Sequence, residues 1–211
     1  MQLNSGATFH DVEQNTDDWF AMRCGKVGGS SIGSIMANYG KAFGPPAHEL
    51  AQKIALEQIT GIPISSGFTS PHLDRGHEQE PIARGLYEAE YFCEVTNGGF
   101  IENGDCGVSP DGFNGGNLIE IKSVIYKVQF ANLKRDNYDP KHKWQLFFNM
   151  QQCGCEWIDF VSFCAQFPIG KQLFCRRVLA DQSKKEFAMM DVRMAEFRVL
   201  VQDKIKIINN A

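Results

Sequence analysis

Residues Gly107–Ser123 read GVSPDGFNGGNLIEIKS. Asp111 stands just before a Gly/Asn-rich turn, and the short apolar run Asn117–Ser123 follows it. Side chains two apart on a strand share a face, so Glu120 and Lys122 point one way. A hairpin return across Asn114-Gly115-Gly116 brings Asp111 beside Glu120. Two carboxylates about 4 Å apart repel by roughly 4 kcal/mol at an effective dielectric near 20. A divalent cation bridging Asp111 and Glu120 turns that cost into affinity, because hard cations take oxygen ligands. Lys122 then supplies the positive neighbour that a water or a phosphate oxygen needs. The competing reading is an edge hairpin with solvated charges.

The chain has 211 residues, 43% apolar and 22% charged. That suits one domain over 1–211 with a substantial core. No apolar run is long enough to span a membrane, and the polar start MQLNSGATFHDVEQN is not a signal peptide. Seven cysteines, an odd number without a CxxC pair, read as reduced thiols in a cytoplasmic protein. Their spacing does not suit an iron–sulfur cluster. The net charge of −4 is unevenly spread: residues 1–120 hold 6 Lys/Arg against 16 Asp/Glu, and residues 121–211 hold 15 against 9. An acidic metal site beside a basic strip is what phosphodiester cleavage requires, since phosphates must be held near carboxylates that repel them.

Working outward, residues 1–15 read as a loose lead-in. Thr16 caps a short helix that starts on two acids, carries Trp19, Phe20 and Met22 as core candidates, and ends at Arg23. The Gly-rich turn 25–31 leads to a second helix capped by Ser30 or Ser31. Free N–H groups there, beside Arg23, make an anion site. A helix runs from Ala47 to Thr60, with Leu50, Ile54 and Ile59 inward and Gly61 ending it. Another runs from Pro71 to Tyr91, kinked near Arg75–His77 or broken at Glu80 because Pro81 removes an N–H. A strand from Tyr91 to Ile101, a second at Val108–Ser109 and a third at Asn117–Ser123 form a meander. Helices follow at Lys127–Arg135 and Pro140–Gly154, then strands at Trp157–Gln166 and Gln172–Leu179. A closing helix at Ser183–Ile208 has Phe187, Met190, Met194, Phe197, Leu200 and Val201 at helical spacing. The class is α/β: a central mixed β-sheet flanked by helices.

Pro110-Asp111…Glu120-Ile121-Lys122 resembles the signature of the PD-(D/E)XK nuclease superfamily. Trp19-x-x-x-Arg23 with Ser30, Gly76-x-x-x-Glu80, Ser109-Pro110-Asp111 and Trp144-Gln145 leading to Gly154 follow in order. Together they resemble the lambda exonuclease family, the YqaJ-type phage recombination nucleases, over roughly residues 16–165.

The resemblance implies a PD-(D/E)XK core and a processive 5′-to-3′ exonuclease on linear double-stranded DNA, dependent on one or two Mg²⁺ (or Mn²⁺), releasing mononucleotides. It implies metal ligation by Asp111, Glu120 and the Ile121 carbonyl, with Glu80 as a further acidic residue. Lys122 positions and helps deprotonate the attacking water, and Gln145 orients nucleophile or substrate. Arg23, Ser30 and Ser109 bind the 5′-phosphate, with Lys127 or Arg135 as the remaining basic residue, and Leu73 is a strand-separating wedge. A homotrimeric ring, a single-strand annealing partner and the cytoplasm of a phage-carrying bacterium are implied as well. Phe147 stands where the family has a second Gln, and His142 or Trp144 replaces a Tyr. The alternatives are a restriction- or repair-type endonuclease with the same Asp/Glu/Lys core, and a non-catalytic DNA-binding scaffold.

Overall fold

The structure, a computed structural model, describes residues 3–64 and 71–211; the side chains of 71–74 and 77 lie outside that description, and the expected wedge Leu73 is among them. The elements run β1 (Thr8–His10), α1 (Asp17–Arg23), β2 (Val27–Gly28), α2 (Ile32–Met36), α3 (Pro45–Thr60), α4 (Pro71–Tyr91), β3 (Val95–Thr96), β4 (Phe100–Asn103) and β5 (Cys106–Val108). Then come β6 (Gly112–Asn114), β7 (Asn117–Ser123), α5 (Tyr126–Arg135), a 3-10 turn at Pro140–His142, α6 (Lys143–Cys153), β8 (Trp157–Phe163), β9 (Leu173–Leu179) and α7 (Lys184–Asn209). The expected α/β class with a mixed sheet holds, as two mixed sheets flanked by helices. The larger has the order β3-β6-β7-β8-β9 and the smaller β1-β4-β5-β2.

Strand β7 organises the larger sheet. It pairs antiparallel with β6 and parallel with β8. Its alternation splits two clusters: Leu118 joins the main core, while Ile119 and Ile121 pack with Ala83 and Tyr87 under α4. Glu120, between them, is turned toward α6. The main core is closed by Met190, Met194, Phe197 and Val201 of α7, as the helical spacing anticipates.

Several expectations need correction. The lead-in contains β1, which pairs with β4 and so extends the smaller sheet. The single strand expected over Tyr91–Ile101 is two, β3 and β4, one in each sheet. The chain crosses between sheets at Gly98–Gly99. A Cβ on Gly98 would lie 1.8 Å from the Pro110 carbonyl oxygen, so only glycine lets the Pro110-Asp111 bend pass there. Helix α4 is unbroken at Glu80: it runs through Pro81, with Ala83 and Tyr87 seated on the sheet just beyond it. Phe20 and Ile59 are exposed rather than buried, while Trp19 and Ile54 are inside. Ser31 is the N-cap residue of α2, yet its hydroxyl bonds Gly28 instead of capping. The hairpin across Asn114–Asn117 and the Thr16 cap stand as expected. Among the described residues, no helix is long and apolar enough to cross a membrane.

A buried carboxylate ties the sheet to α4. Asp159 on β8 is 1% exposed and accepts hydrogen bonds from Tyr87 Oη at 2.8 Å and Arg177 Nε and Nη2 at 2.9 and 2.8 Å. Arg177 lies over the Trp157 ring at 3.6 Å. Removing one partner of a buried pair leaves the other uncompensated. Arg177→Met is expected to lower stability by about 2–3 kcal/mol in urea unfolding; a loss under about 0.5 kcal/mol would place the pair among idle surface contacts.

Candidate active site

The floor of the site is the edge of β7 where β6 runs out. β6 pairs Gly112 with Ile119 and extends no further toward the N-terminus. The next pairing position falls on Pro110, whose carbonyl instead accepts from Gln14 Nε2 at 3.0 Å. Asp111 Oδ2 takes the vacated place and accepts from the Ile121 backbone N–H at 2.5 Å. A residue's N–H and C=O point to the same edge of a strand, so the Ile121 carbonyl also faces this notch.

Four charged side chains meet there. Lys122 Nζ donates to Glu120 Oε1 at 2.5 Å and lies 4.0 Å from Asp111 Oδ2. Glu80 reaches the notch from α4, held by Arg84 one turn later at 3.6 Å. Arg84 also donates to the Asp111 backbone carbonyl. The expected grouping of Asp111, Glu120, Lys122 and Glu80 is therefore brought together, and Gln145 joins it, donating to Glu120 Oε1 at 2.6 Å. Burial and the nearby Asp111 carboxylate push the Glu80 carboxyl up to about 7, against the pull of Arg84 and Lys122. Burial likewise raises Glu120 to about 7, with Lys122 opposing and Asp111 and Glu80 reinforcing. Burial lowers Lys122, but Glu120 and Asp111 outweigh it and hold the ammonium protonated above its usual range.

Two residues are additions to the set read from sequence. Arg84 is one. Asn149 is the other: it is buried on α6 and donates to Glu120 Oε2 at 3.0 Å. Its spacing of four from Gln145 places both amides on one helix face, a signal present in the sequence. A Cβ on Gly29 would lie 2.1 Å from Asn149 Oδ1, so the Gly-rich turn is glycine there to admit this side chain. His142 packs against Phe160 and is pulled down to about 4 by burial and by Lys122; Phe147 is core. His142 thus borders the notch through its hydrogen bond with Gln145 and its nearness to Lys122, whereas Phe147 stays in the core.

A second cluster adjoins the first through Ser109-Pro110-Asp111. Ser109 Oγ accepts from Trp19 Nε1 at 2.8 Å, and the Arg23 guanidinium lies over the Trp19 ring at 4.1 Å. Arg23 also packs on Gly28, where a Cβ would be 3.0 Å from its Nη2. Ser30 is exposed two residues further on. Burial lowers the Arg23 pKa against the nearby Glu57 carboxylate, yet a guanidinium stays charged. Lys127 and Arg135 lie on α5: Lys127 is 5.9 Å from the Tyr126 ring, and Arg135 donates to Asn132 Oδ1 and the Tyr138 carbonyl.

The sequence model of the YqaJ-like viral recombinase domain matches residues 18–156. The chain belongs to the YqaJ-like viral recombinase family. The matched span holds both clusters. No curated protein sequence matches the chain. Among solved structures it is similar to an alkaline exonuclease, LHK-Exo, from Laribacter hongkongensis: TM-score 0.80, 28% identity, covering 92% of this chain and 97% of that one. A second structure of LHK-Exo, in complex with dAMP, gives a TM-score of 0.81 at 28% identity, with the same coverage of both chains. A phage-related exonuclease from Haemophilus somnus 129PT shares the fold at a TM-score of 0.65 and 15% identity, covering 87% of this chain and 96% of that one.

The donor set fits a hard divalent cation: carboxylate oxygens of Asp111 and Glu120, the Ile121 carbonyl on the same strand edge, and Glu80 alongside. Among the described residues, no three His, Cys, Asp or Glu side chains are by themselves grouped tightly enough to hold a metal, so a cation here would also need the Ile121 carbonyl or water as ligands. The two raised carboxyls also set a pH dependence without metal. Their folded pKa, about 7, lies above the unfolded carboxylate value of about 4.5. Their stabilising protonation is thus fully present below about pH 4.5 and lost as pH rises through 7. In EDTA, replacing Glu120 by Gln is expected to flatten the decline of melting temperature between pH 5 and 8. An unchanged slope would count against buried, coupled acids.

Proposed function

We propose that the protein is a Mg²⁺-dependent, processive 5′-to-3′ exonuclease acting on linear double-stranded DNA. The observation that carries this reading is the notch itself: Asp111, Glu120, Lys122 and Gln145 converge at a broken strand edge, one dipeptide from the Arg23/Ser109 cluster. The similarity to LHK-Exo, an exonuclease that has been solved with dAMP, supports the same class of reaction.

Asp111, Glu120 and the Ile121 carbonyl would hold the cation, with Glu80 beside them. When bound, Mg²⁺ supplies Lewis-acid stabilisation of phosphate charge and lowers the pKa of water. The chain's own groups do the rest. Lys122 holds the attacking water by its ammonium and offsets charge growing on the phosphate. Gln145 and Asn149 fix the Glu120 carboxylate from both of its oxygens, so it meets the reacting centre in one orientation. Attack at phosphorus with loss of the 3′-oxygen releases a mononucleotide and leaves a new 5′-phosphate on the strand. Arg23, Ser109 and the turn bearing Ser30 are suited to that phosphate, because a guanidinium pairs with phosphate oxygens in a fixed fork. Every cut therefore regenerates the group the pocket binds. A homotrimeric ring that encloses the duplex would explain processivity, and a single-strand annealing protein would take the exposed 3′ strand.

Lys122→Ala and Asp111→Ala are expected to lower hydrolysis of linear duplex at least about a thousandfold, the scale of losing a group that stabilises transition-state charge. The fold and DNA binding should persist. Digestion of closed circular DNA by the parent protein would favour the endonuclease reading, and binding without hydrolysis the scaffold. Arg23→Ala is expected to remove selectively the preference for 5′-phosphorylated over 5′-hydroxyl ends in a time course on duplex carrying one of each. Equal loss on both ends would overturn the phosphate pocket.

A further inference from the structure

Helix α5 is built the wrong way round for a helix lying on a sheet. Its inward residues are polar: Gln129 and Asn132 are fully buried. Gln129 donates to the Gln172 carbonyl at 3.1 Å and accepts from Ser162 Oγ at 2.5 Å, while Asn132 donates to Ser162 Oγ at 3.1 Å. Its outward residues are apolar or basic. Phe130 is 62% exposed, and Tyr126 and Leu133 are exposed with it. Tyr126, Phe130 and Leu133 recur at helical spacing, and Lys127 and Lys134 border them on the same face. The turn between β8 and β9 continues the surface, with the Phe167 ring 5.0 Å from that of Phe130 and tilted 55° to it, and Ile169 95% exposed. Neither α5 (YKVQFANLKR) nor the turn segment 164–172 (CAQFPIGKQ) contains a carboxylate.

A monomer gains nothing from aromatic rings turned to water over a hydrogen-bonded polar interior. Exposed rings interleaved with lysines, with Asp136 at the α5 C-cap paired to Arg176 at 3.2 Å, match one occupant best: bases stack on aromatic faces regardless of sequence, and cations follow the phosphates. Position agrees. Tyr126 is four residues beyond Lys122, at most about 14 Å of chain, so one strand can touch the catalytic notch and this face together. We infer that the outward face of α5, with the β8–β9 turn, is a platform on which the bases of single-stranded DNA stack beside the active site. The inference rests on the nuclease reading for its biological substrate, but binding is tested without hydrolysis.

The experiment measures fluorescence anisotropy of a labelled oligothymidylate with the full chain in EDTA. The double variant Tyr126→Ala/Phe130→Ala is expected to bind at least tenfold more weakly, with its melting temperature retained because both side chains are exposed. Lys127→Ala/Lys134→Ala should reduce the slope of log affinity against log salt by about 1.4, the loss of two single-strand phosphate contacts. Phe130→Trp should keep affinity and show indole quenching on saturation, a signal that only direct stacking gives. Affinity of the double variant within twofold of the parent overturns the platform. So does a change in its sedimentation mass without loss of affinity, which assigns the face to contacts between copies of the chain. Binding by the parent without Mg²⁺-dependent hydrolysis sinks the nuclease reading and leaves the platform standing; hydrolysis with unaltered single-strand affinity in the variant does the reverse.

Discussion

Everything at the candidate active site depends on one hydrogen bond, from the Ile121 N–H to the Asp111 carboxylate. A strand edge cannot leave its N–H groups unpaired at depth without a cost of about 1–3 kcal/mol. β6 leaves the ladder after pairing Gly112 with Ile119, because the chain bends at Pro110 against Gly98. The carboxylate fills the gap with a charge-assisted bond. This fixes Asp111 in the plane of β7, next to Glu120 and Lys122, and leaves the Ile121 carbonyl facing the same opening. The sheet defect and the acidic site are one feature.

The second constraint is charge. Asp111, Glu120 and Glu80 approach one another around the Lys122 ammonium, with the Arg84 guanidinium beside Glu80, and burial works against ionising all three. The protein manages this with neutral donors: Gln145 takes one oxygen of Glu120 and Asn149 the other. Amides orient a carboxylate without neutralising it, so the negative potential survives for a cation. Glycine at position 29 serves the same end, since a side chain there would displace Asn149.

The Gly-rich turn, Trp19 and Ser109 draw Arg23 to the other side of the same Ser-Pro-Asp bend. A residue change in that bend would therefore move both clusters at once. The smaller sheet supports the arrangement from behind: β5 leads straight into Ser109, and its parallel partner β2 carries the Gly28 surface on which Arg23 lies.

Much of this was legible in the sequence. The capped first helix, the hairpin at Asn114–Asn117, the closing amphipathic helix and the Asp111/Glu120/Lys122 pattern rest on local rules: caps, turn residues and periodicity. Glu80 and Gln145 were legible only through the resemblance to the family, since Gln145 lies 25 residues from Glu120 in the chain and no local rule brings either of them to it. What only the tertiary structure decided depends on partners distant in the chain. The split of residues 91–101 between two sheets follows from Gly98 meeting Pro110. The burial of Trp19 rather than Phe20 follows from the position of Ser109. Asn149 acquires its role from Glu120, 29 residues away, and α5 turns its polar face inward because Ser162 and the Gln172 carbonyl offer it hydrogen bonds there. Local sequence fixes which backbone conformations and faces are available; which face is buried, and which polar atoms meet, is settled only when distant segments compete for the same space.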